Sequence, residues 1–271
     1  KGVKLLSEVE FFQGFVRLKT AVKNDTETVI TDAALDIVYD DNVLRLDHIQ
    51  PVYEYKRGKV HLGNINAGEK KTVAFNYDPI ICMESNIDGN LTYRDVKGNM
   101  KVSTMKTRRA DIVCPIFFTR ENANTAMLKR LVKEELSSQD SKVFRYPDGL
   151  APSQAFELCK GVVHLHDVKF VREFIEERPS WLGEAWFYGE TKVKGYKIVI
   201  RVTVREDSHT AEFFVASQEM EVITGLLAEL GHSLNRMLKE KYMGRLKAQP
   251  IVDQRLKKEL TDKPLLIERE P

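Results

Sequence analysis

Cysteine is scarce in this sequence: Cys82, Cys114 and Cys159 are the full set, far apart and with no CxxC pair. That spacing excludes a small disulfide-stapled domain and a compact zinc module, and it makes buried free thiols in a reducing, cytoplasmic setting the default expectation. Long apolar runs are also missing, with nothing near the ~18 residues that a membrane-crossing helix needs. The N-terminus meets charge at Lys4 and Glu8, too early for a signal peptide. With Lys1 in place of an initiator Met, the chain reads as processed or as a fragment. Charge of one sign is lacking as well. The 42 basic and 40 acidic side chains leave a net charge of +2, which argues against a surface built for nucleic acid. No GxSxG, HExxH, GxxxxGK[ST] or GxGxxG string occurs, so no familiar catalytic or phosphate-cradling loop is present.

What is there is enough for a core. The hydrophobic fraction of 42% over 271 residues suits one large domain or two ordinary ones. Up to about residue 110 the pattern is β. Short runs such as Val16 to Val22, Leu35 to Tyr39, Val60 to Leu62, Thr72 to Phe75 and Leu91 to Arg94 are separated by turn pairs such as Asn24-Asp25 and Arg57-Gly58. Asn90 to Asp95 and Met100 to Met105 read as a hairpin. Beyond Arg108-Arg109 the pattern is mixed. Ile112 to Phe118 reads as a strand interrupted by Pro115. An amphipathic helix is expected from Asn122, a strand over Lys142 to Tyr146, and a helix opening at Pro152. Tyr196, Ile198, Ile200, Val202 and Val204 then alternate with basic and polar residues as in a sheet with one packed face. Trp186 to Glu190 and Ala211 to Val215 flank that strand in a meander. A closing helix carries Val222, Ile223, Leu226, Leu227, Leu230, Leu234 and Leu238, with Ser217 as its expected cap and Gly231 as a weak point. The fold class is therefore α+β in two domains: a β-sandwich over 1–110, a helix-and-sheet platform over 111–245, and a charged tail over 246–271, in which Leu256 to Leu260 form a helical turn or two.

Few side chains invite chemistry. His164 and His166 fall on one side of a strand, if a strand it is, with Asp167 or Cys159 as further ligands of a metal-dependent enzyme; on a helix the two rings diverge. Cys114 sits among apolar residues, where burial suppresses the thiolate. Basic groups cluster at Lys56-Arg57-Lys59, at Lys106 to Arg109, and at Lys192, Lys194, Lys197 and Arg201. The last cluster suits acidic peptides or an anionic membrane surface.

A sandwich followed by a helix-and-sheet platform resembles the appendage, or ear, region of clathrin-adaptor and coatomer large subunits. In the first half the resemblance rests on Val16-Arg17-Leu18-Lys19-Thr20-Ala21-Val22-Lys23-Asn24, on Val60 to Gly68 and on Gly89 to Asp95. In the second it rests on Phe156-Glu157-Leu158-Cys159-Lys160, on Lys194 to Val202, and on Ala216-Ser217-Gln218-Glu219. The resemblance implies an Ig-like sandwich and a non-catalytic platform without cofactor, which recruits proteins carrying short linear motifs, near membranes in vesicle traffic. It places Phe156 and Lys160 on the platform helix and Arg201 on a neighbouring strand. Where such platforms carry a tryptophan three positions after the phenylalanine, this chain has Cys159. Trp186 and Tyr188 compensate if they face the same groove.

Overall fold

The structure, a computed structural model, describes residues 2–252. It is built mainly from antiparallel sheets with few helices. Its contacts gather into two compact units that divide after Asp111.

In the first unit ten strands form two sheets. One has the order β1-β2-β7-β4, from Val3–Phe12, Phe15–Asn24, Lys70–Pro79 and Leu44–Gln50. The other has the order β10-β8-β3-β6-β5, from Arg108–Asp111, Glu84–Arg94, Ile30–Val38, Lys59–Ile65 and Glu54–Lys56. β9, Met100–Thr104, lies beside β10 along the same edge of β8. β1 and β2 are joined by Gln13 and Gly14 alone, both at positive φ (48° and 76°), the backbone that a two-residue hairpin turn demands. β2 stops at Asn24, whose side chain is fully buried. Its amide donates to the carbonyls of Thr28, Ile65 and Asn66, and its oxygen accepts from the Thr26 amide. One short polar side chain thus satisfies three strand ends. The hairpin read from Asn90 to Met105 is present, its turn closed by Asp95, which accepts from the amides of Lys97 and Asn99.

The second unit is one six-stranded antiparallel sheet, β12-β13-β14-β15-β11-β16. In chain order its elements are α1 (Thr125–Arg130), β11 (Ser138–Arg145), α2 (Pro152–Val163), β12 (Lys169–Glu176), β13 (Leu182–Glu190), β14 (Lys197–Arg205), β15 (Thr210–Ser217), α3 (Met220–Lys241) and β16 (Gln249–Ile251). A wide π-type turn, Leu131–Glu135, continues α1. One sheet face packs Ala185, Phe187, Ile198, Ile200, Val202, Phe213 and Val215 against α2 and α3. The other carries Tyr188, Val199 and Ala216, covered by Leu128, Leu131 and Leu136 from α1 and its turn.

Several expectations are corrected. Ile112 to Phe118 makes no regular strand; Phe117 alone bridges to Thr191, because Pro115 has no N–H to give a ladder. Asn124 caps α1, its side chain accepting from the Met127 amide. Ser217 does not cap α3, since it stays paired with Ser138 in the sheet; the helix opens after Glu219 with no side-chain cap. The supposed tail starts inside the fold. Ala248 is buried and exchanges two hydrogen bonds with Asn235, and β16 pairs with β11. The remainder, with the turn expected at Leu256 to Leu260, lies outside the described residues. Cys82 and Cys114 are each disulfide-bonded, so the expectation of buried free thiols holds at Cys159 alone. No helix among the described residues is long and apolar enough to cross a membrane.

Candidate functional site

The residues that the sequence suggested for one groove lie on two faces of the sheet. Phe156 and Cys159 are on the buried side of α2, each 1% exposed, inside the core that α2 and α3 make with the sheet. The Phe156 ring meets Trp181 edge-on at 5.5 Å. Burial pushes the Cys159 thiol up to about 12, so it remains protonated and apolar in character. Lys160 lies at the margin of this face, 4.6 Å above the Phe156 ring and 2.7 Å from both Glu157 and Glu173. Burial lowers its pKa, but the hydrogen bonds to the two carboxylates outweigh this and leave it raised.

Trp186, Tyr188 and Arg201 occupy the opposite face. Strand alternation is the cause: Phe187, between the two aromatic residues, is the one turned towards α2. Tyr188 is fully buried and donates from its hydroxyl to Glu190. Burial first, then the Glu190 charge, raises its pKa far above the usual phenol range. Glu190 in turn accepts from the amides of Arg120 and Glu121 and so ties the approach to α1 to the end of β13.

The register sets an alternating row across this face. Arg172 stands opposite Trp186, Trp186 opposite Arg201, and Arg201 opposite Phe214. The Arg201 guanidinium lies 4.6 Å from the Phe214 ring centre and 5.5 Å from that of Trp186, and it donates to Glu212 at 2.7 Å. The Trp186 indole N–H donates to Glu184 at 2.6 Å. Cation and ring thus stabilise each other by cation–π attraction, and each has a carboxylate partner. Between this row and α1 lies a groove of about 190 Å³, lined by Thr125, Leu128, Lys129, Phe174, Glu184 and Trp186 together with the Arg172-Glu173 stretch of β12.

The alternative metal set is not brought together. His164 ends α2 and packs edge-on to Phe187 at 5.1 Å, whereas His166 packs on Phe117 at 5.5 Å, and burial lowers its pKa. Asp167 accepts from the Thr119 amide and hydroxyl through its carboxylate and carbonyl respectively. The strand that would have aligned the two imidazoles is a helix end and a turn. Lys192 and Lys194 sit in the turn of the β13–β14 hairpin; the Lys194 ammonium lies 5.4 Å from the Tyr196 ring centre, and Lys197 stands opposite Glu190.

Sequence reasoning passed over two parts of the site. One is β12, whose Lys169-Phe170-Val171-Arg172-Glu173-Phe174-Ile175-Glu176 lacks clean alternation; the ladder slips between Phe170 and Arg172. The other is the role of Leu128 and Leu131 as the cover of the outer face.

No family model and no curated protein matches the chain. Among solved structures, it is similar to a cohesin from Acetivibrio cellulolyticus scaffoldin B, crystallised with a Cel5 dockerin. The identity is 12%, the coverage 40% of this chain and 97% of that one, and the TM-score 0.30. A DUF4466 family protein from Parabacteroides merdae is 10% identical, with coverage of 80% and 100% and a TM-score of 0.30. WR4, an MSP family member of C. elegans, is 13% identical, with coverage of 38% and 94% and a TM-score of 0.21. At these scores the similarities carry no functional weight.

Proposed function

We propose that this chain is a non-catalytic protein-interaction module of the appendage kind, in which the outer face of the platform sheet takes a short linear motif. The observation that supports it is the Trp186 groove: an apolar floor of Leu128, Phe174 and the indole, walled by α1 and framed by charge. An aliphatic or aromatic anchor fits a space of that size, and hot-spot binding needs only a few such contacts. Arg201 is committed to Glu212 and two rings, so it holds the row rigid. The cation that meets a flanking carboxylate is Lys129, an exposed groove residue with no ion pair among the described residues. Selection from a displayed random-peptide library should enrich sequences with an apolar anchor beside an acidic residue. Trp186→Ala and Lys129→Glu should each weaken a selected peptide roughly tenfold, the loss of one well-placed contact. Wild-type affinity in both variants, or no enrichment, overturns the reading.

A second reading, contact with an anionic bilayer, is favoured by one feature of the same unit. Ile116, Phe118 and Val193 are 67%, 49% and 88% exposed. Lys192 donates its amide to the Ile116 carbonyl, which brings this segment beside the turn that carries Lys192, Val193 and Lys194. Binding to phosphatidylserine vesicles at low salt, lost with Val193→Asp and absent with phosphatidylcholine alone, is the expected result. Failure to bind at low salt removes this reading and leaves the first untouched.

A further inference from the structure

Among the described residues, β12 is the terminal strand of the platform sheet and pairs on one side only, with β13. An open edge of this kind is a template for another strand unless its side chains forbid it. Phe170, Phe174 and Ile175 on it are each about half exposed, and neither Arg172 nor Glu176 has an ion-pair partner among the described residues.

We propose that β12 pairs antiparallel with β12 of a second copy of this chain, in the register that sets Phe174 opposite its own counterpart. Two-fold symmetry in a continuous antiparallel sheet requires one residue to face its own copy, so only a few registers are available. A centre at Arg172 opposes two guanidinium groups, and one at Glu173 opposes two carboxylates. A centre at Ile175 sets Glu173 against Glu177 of the partner subunit and Arg172 against Arg178 of the partner subunit. The centre at Phe174 sets Arg172 against Glu176 of the partner subunit, and the symmetry repeats that pair on the other side of the axis. Phe174 and the partner's Phe174 then meet between the two ion pairs. Arg172, Phe174 and Glu176 stand opposite Trp186, Glu184 and Leu182 respectively, so all three lie on the outer face and form one continuous row at the junction. On the other face Glu173 meets Ile175 of the partner subunit, at small cost because Lys160 already neutralises Glu173 at 2.7 Å. Opposite charges and aromatic pairs directly across strands stabilise a ladder, and like charges there destabilise it. Among centres from Arg172 to Ile175, on the C-terminal side of the irregularity between Phe170 and Arg172, the charge pattern of β12 therefore selects this one register.

Sedimentation of the purified chain over a range of concentrations reads the association directly. The wild type should show a reversible monomer–dimer equilibrium. R172E and E176R should each raise the dimer dissociation constant roughly tenfold or more, since each places like charges together twice. An equimolar mixture of the two should associate again, because each chain then supplies the sign that the other lacks. Phe174→Asp, which puts two carboxylates on the axis, is a further dimer-breaking variant should either charge change impair folding. A wild type that stays monomeric throughout, or a mixture no better than its components, overturns the proposal. Lys129→Glu should leave the equilibrium unchanged, which separates this result from the fate of the peptide groove.

Discussion

Phe156→Ala should lower the stability of the platform by about 3–5 kcal/mol, the range for removing a buried phenylalanine, and leave peptide capture intact wherever the variant is still folded. The ring is 1% exposed, contacts Trp181 edge-on and carries the Lys160 ammonium 4.6 Å above it. Truncation therefore removes the transfer free energy of the ring, leaves a cavity between α2 and the sheet, and strands a lysine over empty space. Urea unfolding should show a lower midpoint at similar slope. Titration with a selected peptide at low denaturant should give the wild-type affinity, because Phe156 and Trp186 lie on opposite faces. The converse result, little loss of stability with loss of binding, would return Phe156 to the binding surface.

Gly225→Ala should cost about 2–3 kcal/mol, against the ~1 kcal/mol gain that alanine gives in a solvent-exposed helix. A Cβ at Gly225 would overlap the carbonyl group of Val113, which is backbone and has no rotamer to change. α3 would have to lift from the segment that precedes Phe117, and Val222, Ile223 and Leu226 around the glycine would lose contact with the core. Thermal unfolding should fall by several degrees. A Gly225→Ala variant as stable as wild type would show that the segment at Val113 yields freely. Gly231, read from the sequence as a weak point, has a similar rationale: an added Cβ would sit 2.7 Å from the tip of the Phe144 ring. Both glycines exchange helix propensity for close approach.

Much of the platform was legible from period alone. The alternation over Ile198 to Val204 predicts one packed face, and those residues do face α2 and α3. The same alternation already places Arg201 on the other face, away from Phe156, and so contradicts a groove containing both. The appendage resemblance masked that conflict by supplying a shared site. β12 was not legible, because its bulge breaks the period and its edge position leaves apolar and charged residues equally exposed. The metal alternative depended on the backbone at His164 to His166. Apolar spacing at Ala155, Phe156, Leu158, Cys159, Val162 and Val163 carries α2 up to that point, with no proline between Pro152 and His164 to stop it earlier. Asn124 and Glu219 as helix starts, in place of Asn122 and Ser217, reflect what spacing leaves open: capping is decided by which amides the sheet has already satisfied.

The chain has two tryptophans, and the sheet separates them. Trp181 packs on Phe156 in the core beneath α2, whereas Trp186 lies in the outer groove with its indole N–H held by Glu184 and a guanidinium over its ring. Each is therefore an intrinsic fluorophore for one side of the same sheet, Trp181 just ahead of β13 and Trp186 within it. In a Trp181→Phe background the emission comes from the groove alone, and in a Trp186→Phe background from the core alone. Light from two residues five positions apart can thus report occupancy and melting as two separate signals.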